Sequence, residues 1–247
     1  MRFDEQRVVV TGAGSGIGRA TAVLLCERGA DVVATDLRGA ALTVAAEAGA
    51  ETLAADVSTA AGRAAIAEAA GPLTGLVNSA GLMISEPLDE TDEATWDAVF
   101  GVNAKGLFFL CQALVPRLPA GGSVVNLSSV AAKYSQTPEA AVYSASKAAV
   151  QSITRTFAAV HGPRGVRVNS LCPGIIDTPM QDLVMGNAAA ARGMDAAELR
   201  QARLGLVPMR REGEAEECAR AIAALLSDEL SYVTGQTINV CGGFQMY

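Results

Sequence analysis

Residues 7–18 read RVVVTGAGSGIG. Three consecutive valines make the short apolar run expected of a strand buried on both faces. Gly12, Gly16 and Gly18 then allow a tight turn and a close backbone approach to a pyrophosphate, whose charge the following helix N-terminus stabilises. Ser15 and Ile17 lie in the same turn and are placed with it in a dinucleotide site. Taken alone, an ordinary glycine-rich turn between strand and helix would read the same way. A Walker A loop is excluded, because the turn lacks the GK[ST] ending.

The next strand sharpens the reading. DVVATD (31–36) ends in Asp36, 18 residues after Gly18. An acidic side chain there can accept hydrogen bonds from the adenosine ribose hydroxyls. It would repel a 2′-phosphate, and Ser15 offers that phosphate no cation. Arg38 is the one nearby cation that could swing toward it. The expected cofactor is therefore NAD, with Leu37 beside Asp36 in the same site.

Outward from these two strands, β-rich runs alternate with Ala-rich helical stretches. ETLAAD, GLVNSAG, GSVVNLSS, VRVNSLCPG and QTINV read as further strands. Helices are expected at 16–28, up to about Ala48, at 92–118, at 140–161 and at 214–227. This alternation predicts an α/β fold, a Rossmann-type doubly wound parallel sheet flanked by helices with right-handed crossovers. No linker, repeat or low-complexity tract divides the chain, so residues 1–247 are read as a single domain.

Composition narrows the function classes. Half of the 247 residues are hydrophobic and the net charge is −7, which gives no footprint for nucleic acid or an anionic membrane. The N-terminal apolar run is only Val8–Val10, unlike a signal peptide, and no apolar stretch of about 18 residues stands out as a membrane span. Five scattered cysteines without CxxC spacing read as buried thiols in a reducing compartment, with the cytoplasm as the expected location. His161 is the only histidine, so multi-histidine metal sites are impossible and a Ser-His-Asp triad would have to use it. Its AVHGPRG context suggests a structural role at a helix end, where a cation would be favourable.

TGAGSGIG (11–18), NSAG (78–81), Asn103, SS (128–129), YSASK (143–147) and PGIIDT (173–178) occur in that order. In these motifs the chain resembles the short-chain dehydrogenase/reductase family from about residue 6 to 243. The resemblance implies four catalytic residues. Tyr143 would be the general acid/base, and Lys147, its i+4 neighbour on one helix face, would lower its pKa. Ser129, preferred over Ser128, would position the substrate oxygen, and Asn103 would hold a proton-relay water. Around the cofactor the resemblance implies Asp56 and Val57 beside the adenine and Asn78 behind the ribose. Gly81 belongs to the same motif, and Ile176 and Thr178 would hold the carboxamide. Ser79 replaces the second Asn usual in NNAG. The Ser129–Tyr143 interval is one residue longer than the commonest family spacing, with the extra residue expected in KYSQTPEA (133–140). Of 19 basic residues only Lys105, Lys133 and Lys147 are lysines, which adds some weight to Lys147.

The implied reaction is hydride transfer between a secondary alcohol and the nicotinamide. The substrate would be a small alcohol or ketone, and DTPMQ (177–181) suggests a cyclic alcohol or diol by similarity to dihydrodiol-type dehydrogenases. Residues 178–213 are read as a substrate lid, whose Met180, Met185, Met194 and Met209, with Met83, could line an apolar pocket or simply pack helices. Three alternatives stand beside this reading. A reductase of acyl groups on an acidic carrier protein would need Arg203, Arg210 and Arg211 to form a patch. A non-catalytic NAD-sensing module would lack the proton-handling residues. A serine acyl-enzyme could be read from Ser144-Ala-Ser-Lys147, but its partner motifs SDN and KTG are missing. A homotetramer through the helices near 92–118 and 140–161 is expected from the family.

Overall fold

The computed structural model describes residues 1–134 and 138–247. Residues 135–137, part of the stretch expected to carry the extra residue, lie outside the described residues. Seven parallel strands form one sheet in the order β3-β2-β1-β4-β5-β6-β7. They are β1 Arg7–Thr11, β2 Asp31–Asp36, β3 Glu51–Ala54, β4 Gly75–Asn78, β5 Ser123–Leu127, β6 Arg167–Pro173 and β7 Thr237–Val240. The helices are α1 Gly16–Glu27, α2 Thr43–Glu47, α3 Ala60–Ala69, α4 Glu93–Phe100, α5 Leu107–Leu114, α6 Ala141–His161, α7 Pro179–Arg192, α8 Ala196–Leu204 and α9 Ala215–Leu226.

The valines of β1 show why this sheet is buried on both faces. Val8 and Val10 join Val32, Ala34, Leu25 and Ile222 in the core beneath α1 and α9. Val9, pointing the other way, joins Val33, Leu76, Leu110 and Val150 beneath α3, α5 and α6. Strand periodicity of two thus feeds two separate helical layers from one run of valines. From β1 the chain builds outward to β2 and β3, then crosses back to place β4 on the other side of β1. That reversal opens a crevice at the C-terminal ends of β1 and β4, where open α/β sheets bind ligands.

Three details depart from the sequence reading. Helix α3 fills the β3–β4 connection, where no helix was expected. Its signal was Thr59, whose hydroxyl accepts the Gly62 N–H at 3.0 Å as an N-cap. The expected helix at 92–118 is interrupted, since Gly101–Gly106 forms a π-helical turn between α4 and α5. Although no bare apolar run exists there, Glu93–Arg117 is long and apolar enough on average to cross a membrane, with a mean hydropathy of 1.6. In the fold half of that window is buried, and Leu107, Leu110 and Leu114 pack against the sheet.

His161 ends α6, as expected, and stacks on Phe157 with ring centroids 5.9 Å apart. Burial, helped by Arg164, pushes its pKa below the ordinary value. All five cysteines are free thiols, with Cys111, Cys172 and Cys218 buried and Cys26 and Cys241 partly exposed.

Candidate active site

The end of β1 and the end of β4 are stitched together by one side chain. Thr11 Oγ1 accepts the N–H groups of Ser79 at 3.2 Å and Ala80 at 3.1 Å. Gly12 therefore lies against Ala80, and a Cβ at Gly12 would come within 2.7 Å of the Ala80 Cα. Its φ of +66° is also one that glycine adopts without strain. At Gly18 a Cβ would press into the carbonyl oxygen of Gly12. The turn is thus packed backbone on backbone, which leaves its outer side open to a ligand.

Asp36 ends β2 beside this turn. Its carboxylate accepts the Gly14 N–H at 3.1 Å and the Arg38 N–H at 3.2 Å, and so fixes both the glycine loop and the start of the next segment. Each oxygen keeps a lone pair for a further donor. Arg38 is exposed, and its side chain has no hydrogen bond or ion pair among the described residues. Asp56 is held from the other side, accepting the Ser58 N–H at 2.8 Å.

A cleft of about 420 Å³ runs along these residues. Gly12, Ser15, Gly16, Ile17, Gly18, Asp36, Leu37, Asp56, Val57 and Gly81 line one part of it. Ser129, Tyr143, Lys147, Ile176 and Thr178 line the rest, with residues of α7 and α8. Two predicted site residues stand behind the wall. Asn78 is buried and donates to Asn126 Oδ1 at 2.8 Å, and Asn126 donates to Thr154 Oγ1 at 3.0 Å. This polar chain ties β4, β5 and α6 together beneath the cleft.

Asn103, in the π-helical turn, accepts the Leu82 N–H at 2.8 Å and donates to the Leu82 carbonyl at 2.9 Å and to Ser146 Oγ at 2.9 Å. Both of its amide hydrogens are used, so its side chain clamps the loop after β4 to α6.

Helix α6 carries the tyrosine and the lysine. Lys147 is buried and donates from Nζ to the Leu127 carbonyl at 2.8 Å, with Nζ 5.7 Å from the centre of the Tyr143 ring. Burial pushes its pKa down to about 8. Burial pushes the Tyr143 phenol above its ordinary value, and a hydrogen bond with the Ser129 side chain works in the opposite direction. Within the protein alone, therefore, the expected depression of Tyr143 by Lys147 is not the governing effect. The ammonium is aimed at a carbonyl, and desolvation of the phenol dominates.

The two serines separate clearly. Ser128 is buried and donates to the Lys147 carbonyl at 2.8 Å, which locks β5 to α6. Both line the cleft, and the Ser129 oxygen accepts the Ala131 N–H at 3.1 Å. Thr178 caps α7, accepting the Gln181 N–H at 3.4 Å, and donates to the Ile176 carbonyl at 3.2 Å.

The methionine and arginine expectations are only partly met. Met180 and Met83 line the cleft, but Met185, on α7, is buried, and Met194 and Met209 are exposed. The three arginines take separate partners. Arg211 pairs with Glu217 at 2.7 Å, Arg210 donates to the Gly205 carbonyl, and Arg203 turns into the cleft. Phe244 also lines the cleft, stacked edge-on against Tyr134 at 5.5 Å. It lies seven residues past the nearest strand start, and nothing in its local sequence marked it as a wall residue.

A hydroxyl and a phenol lining one cleft, with a buried cation alongside, can hold an oxygen and exchange a proton with it. The profile of the family described as Enoyl-(Acyl carrier protein) reductase matches residues 12–245. The chain is 38% identical to 2-keto-3-deoxy-L-fuconate dehydrogenase of Xanthomonas campestris, over 98% of this chain and 81% of that one. It is 39% identical to galactitol 2-dehydrogenase (L-tagatose-forming) of Cereibacter sphaeroides, over 100% and 97% of the two chains. Among solved structures, a short-chain dehydrogenase/reductase named glucose/ribitol dehydrogenase, from Brucella melitensis, superposes with a TM-score of 0.90. That protein is 35% identical, with both chains fully covered. Relatives of this kind are dehydrogenases and reductases that use nicotinamide cofactors, and this chain is an oxidoreductase that belongs to the short-chain dehydrogenase/reductase family.

Proposed function

We propose that the protein is an NAD-dependent dehydrogenase of secondary alcohols, with Tyr143 as the acid/base. The observation that carries this reading is that Ser129, Tyr143 and Lys147 line the same cleft as the glycine turn. The residues present fit a nicotinamide dinucleotide. The open side of the Gly12–Gly18 turn suits a pyrophosphate, Asp36 has acceptor capacity left for ribose hydroxyls, and Thr178 and the Ile176 backbone suit the carboxamide. NAD is preferred over NADP because the Asp36 carboxylate would face a 2′-phosphate as a like charge. When bound, the cofactor accepts the hydride from the alcohol carbon.

The chain's own residues would then handle the oxygen. Ser129 positions the hydroxyl, and the Tyr143 Oη takes its proton as the carbonyl forms. Lys147, with a pKa of about 8, carries its charge at neutral pH, and that charge favours the phenolate against the cost of burial. Because the Asn103 amide hydrogens are already used, a relay water would rest on the main chain of the π-helical turn, with Asn103 holding that turn in place. Residues 178–213 would act as the lid over the substrate.

A small cyclic or polyol alcohol suits the cleft better than an acyl group on a carrier protein, because Arg203, Arg210 and Arg211 form no common patch. Trp96, Phe109 and Val160, exposed on α4, α5 and α6, support assembly as a homotetramer through those helices. The free thiols suit a cytoplasmic location.

The test is formation of reduced nicotinamide from NAD or NADP with a panel of cyclic diols, sugar alcohols and simple secondary alcohols. Tyr143→Phe should lower kcat about 10²–10⁴-fold, the usual contribution of a positioned acid/base. Oxidation should quicken as pH rises above neutral, because burial holds the phenol above its ordinary value and the phenolate is the base. Turnover undiminished in Tyr143→Phe would refute the assignment.

A further inference from the structure

Four side chains at the substrate end of the cleft make a mostly apolar wall: Met83, Met180, Val184 and Phe244. Two polar side chains interrupt it. Arg203, from the last turn of α8, lines the cleft half-buried, and its one hydrogen bond among the described residues is to Met185 Sδ at 3.9 Å. No carboxylate lies within ion-pair distance of it among the described residues. Gln181, from the first turn of α7, lines the same wall, and its Nε2 is buried without a hydrogen-bond partner.

An unpaired guanidinium and an unpaired amide N–H, both partly removed from water, are costly unless something supplies acceptors. Among the described residues the chain supplies none. Arg192 and Glu139 also act on Arg203, but Arg192 pairs with Glu139 at 3.5 Å, which leaves Arg203 as the surplus charge. Burial accordingly holds the Arg203 pKa below its ordinary value.

We infer that Arg203 and Gln181 form an anion subsite, so that the alcohol oxidised here carries a carboxylate on an otherwise apolar or ring-shaped body. This rests on the dehydrogenase reading above for the word "oxidised"; the subsite itself rests on the two unpaired donors. A planar guanidinium matches a carboxylate with two parallel hydrogen bonds, and Gln181 can donate a third. Met180 and Phe244 then cover the carbon body.

Calorimetric titration of the full chain, with and without NAD, tests the subsite apart from the reaction. The probes are cis-4-hydroxycyclohexanecarboxylate and the corresponding carboxamide, which share shape and differ in charge. Wild type should bind the carboxylate at least tenfold tighter than the amide. Arg203→Met should bring the two within about twofold, and Arg203→Lys should keep part of the preference. A melting curve of each variant establishes that it is folded, and the wild-type ratio decides the matter if Arg203→Met is not. Equal binding of acid and amide by wild type overturns the subsite, as does a preference that survives in folded Arg203→Met. A carboxylate preference in a protein that reduces no nicotinamide with any alcohol would overturn the dehydrogenase reading and leave the subsite standing.

Discussion

At the β1 end of the cleft the walls are backbone, whereas at the α7–α8 end they are long side chains. The glycine turn is pinned by Thr11, backed by the sheet core and closed by Asp36. Helices α7 and α8 pack over a small cluster of their own, Ala188, Ala189 and Leu199, separate from the two main cores. One end therefore has almost no freedom to vary without breaking the fold. The other can exchange residues such as Met180 or Arg203 while the sheet beneath it stays the same. A cofactor common to many reactions suits the first kind of wall, and a substrate particular to one enzyme suits the second.

The hardest way to break this contrast is to add one methyl group at the rigid end. In Gly18→Ala the new Cβ meets the Gly12 carbonyl oxygen, a backbone atom that cannot swing aside. Relief must come from opening the turn, at about 1–3 kcal/mol for an overpacked site. Dinucleotide affinity, measured by fluorescence titration, should fall about a hundredfold, equivalent to about 2.8 kcal/mol. Affinity within threefold of wild type would mean that the turn is looser than its packing indicates.

A smaller effect is expected at Asp36, where charge rather than space is at stake. Asp36→Asn keeps an acceptor for the Gly14 N–H and removes the negative charge. The ratio of kcat/KM for NAD over NADP should drop about tenfold, or about 1.4 kcal/mol. An unchanged ratio would shift the explanation to the exposed Arg38.

The same contrast explains what the sequence disclosed. Gly12, Gly18 and Asp36 were legible because backbone contact and strand-end charge dictate those residue types at those positions. The strands were legible because a run such as Val8–Val10 has few alternatives when it must feed two cores. Helix α3 was not, because Ala60–Ala69 buries only Ile66 fully and so carries little apolar period. The direction of Lys147 Nζ toward Leu127, the separate roles of Ser128 and Ser129, and the turning of Arg203 into the cleft depend on which elements become neighbours. Arg203, Arg210 and Arg211 look alike in the chain, and tertiary packing alone gives them three different partners.

The mildest test repeats the methyl addition at the other end. Gly186 sits in the middle of α7, exposed, with no atom within 4 Å of where a Cβ would stand. Nothing in the packing requires glycine there, and in a helix interior it costs about 0.5–1 kcal/mol relative to alanine. Gly186→Ala should therefore raise the melting temperature by about 1–4 °C, in the opposite direction to Gly18→Ala. If residues 178–213 must move to admit substrate, the stiffer α7 should also slow turnover while leaving dinucleotide affinity unchanged. A variant that melts higher with full activity would show that the contrast between the two ends concerns stability alone. One that melts lower would show that the exposed face of α7 is covered in the assembled protein, and that glycine is there to let another surface come close.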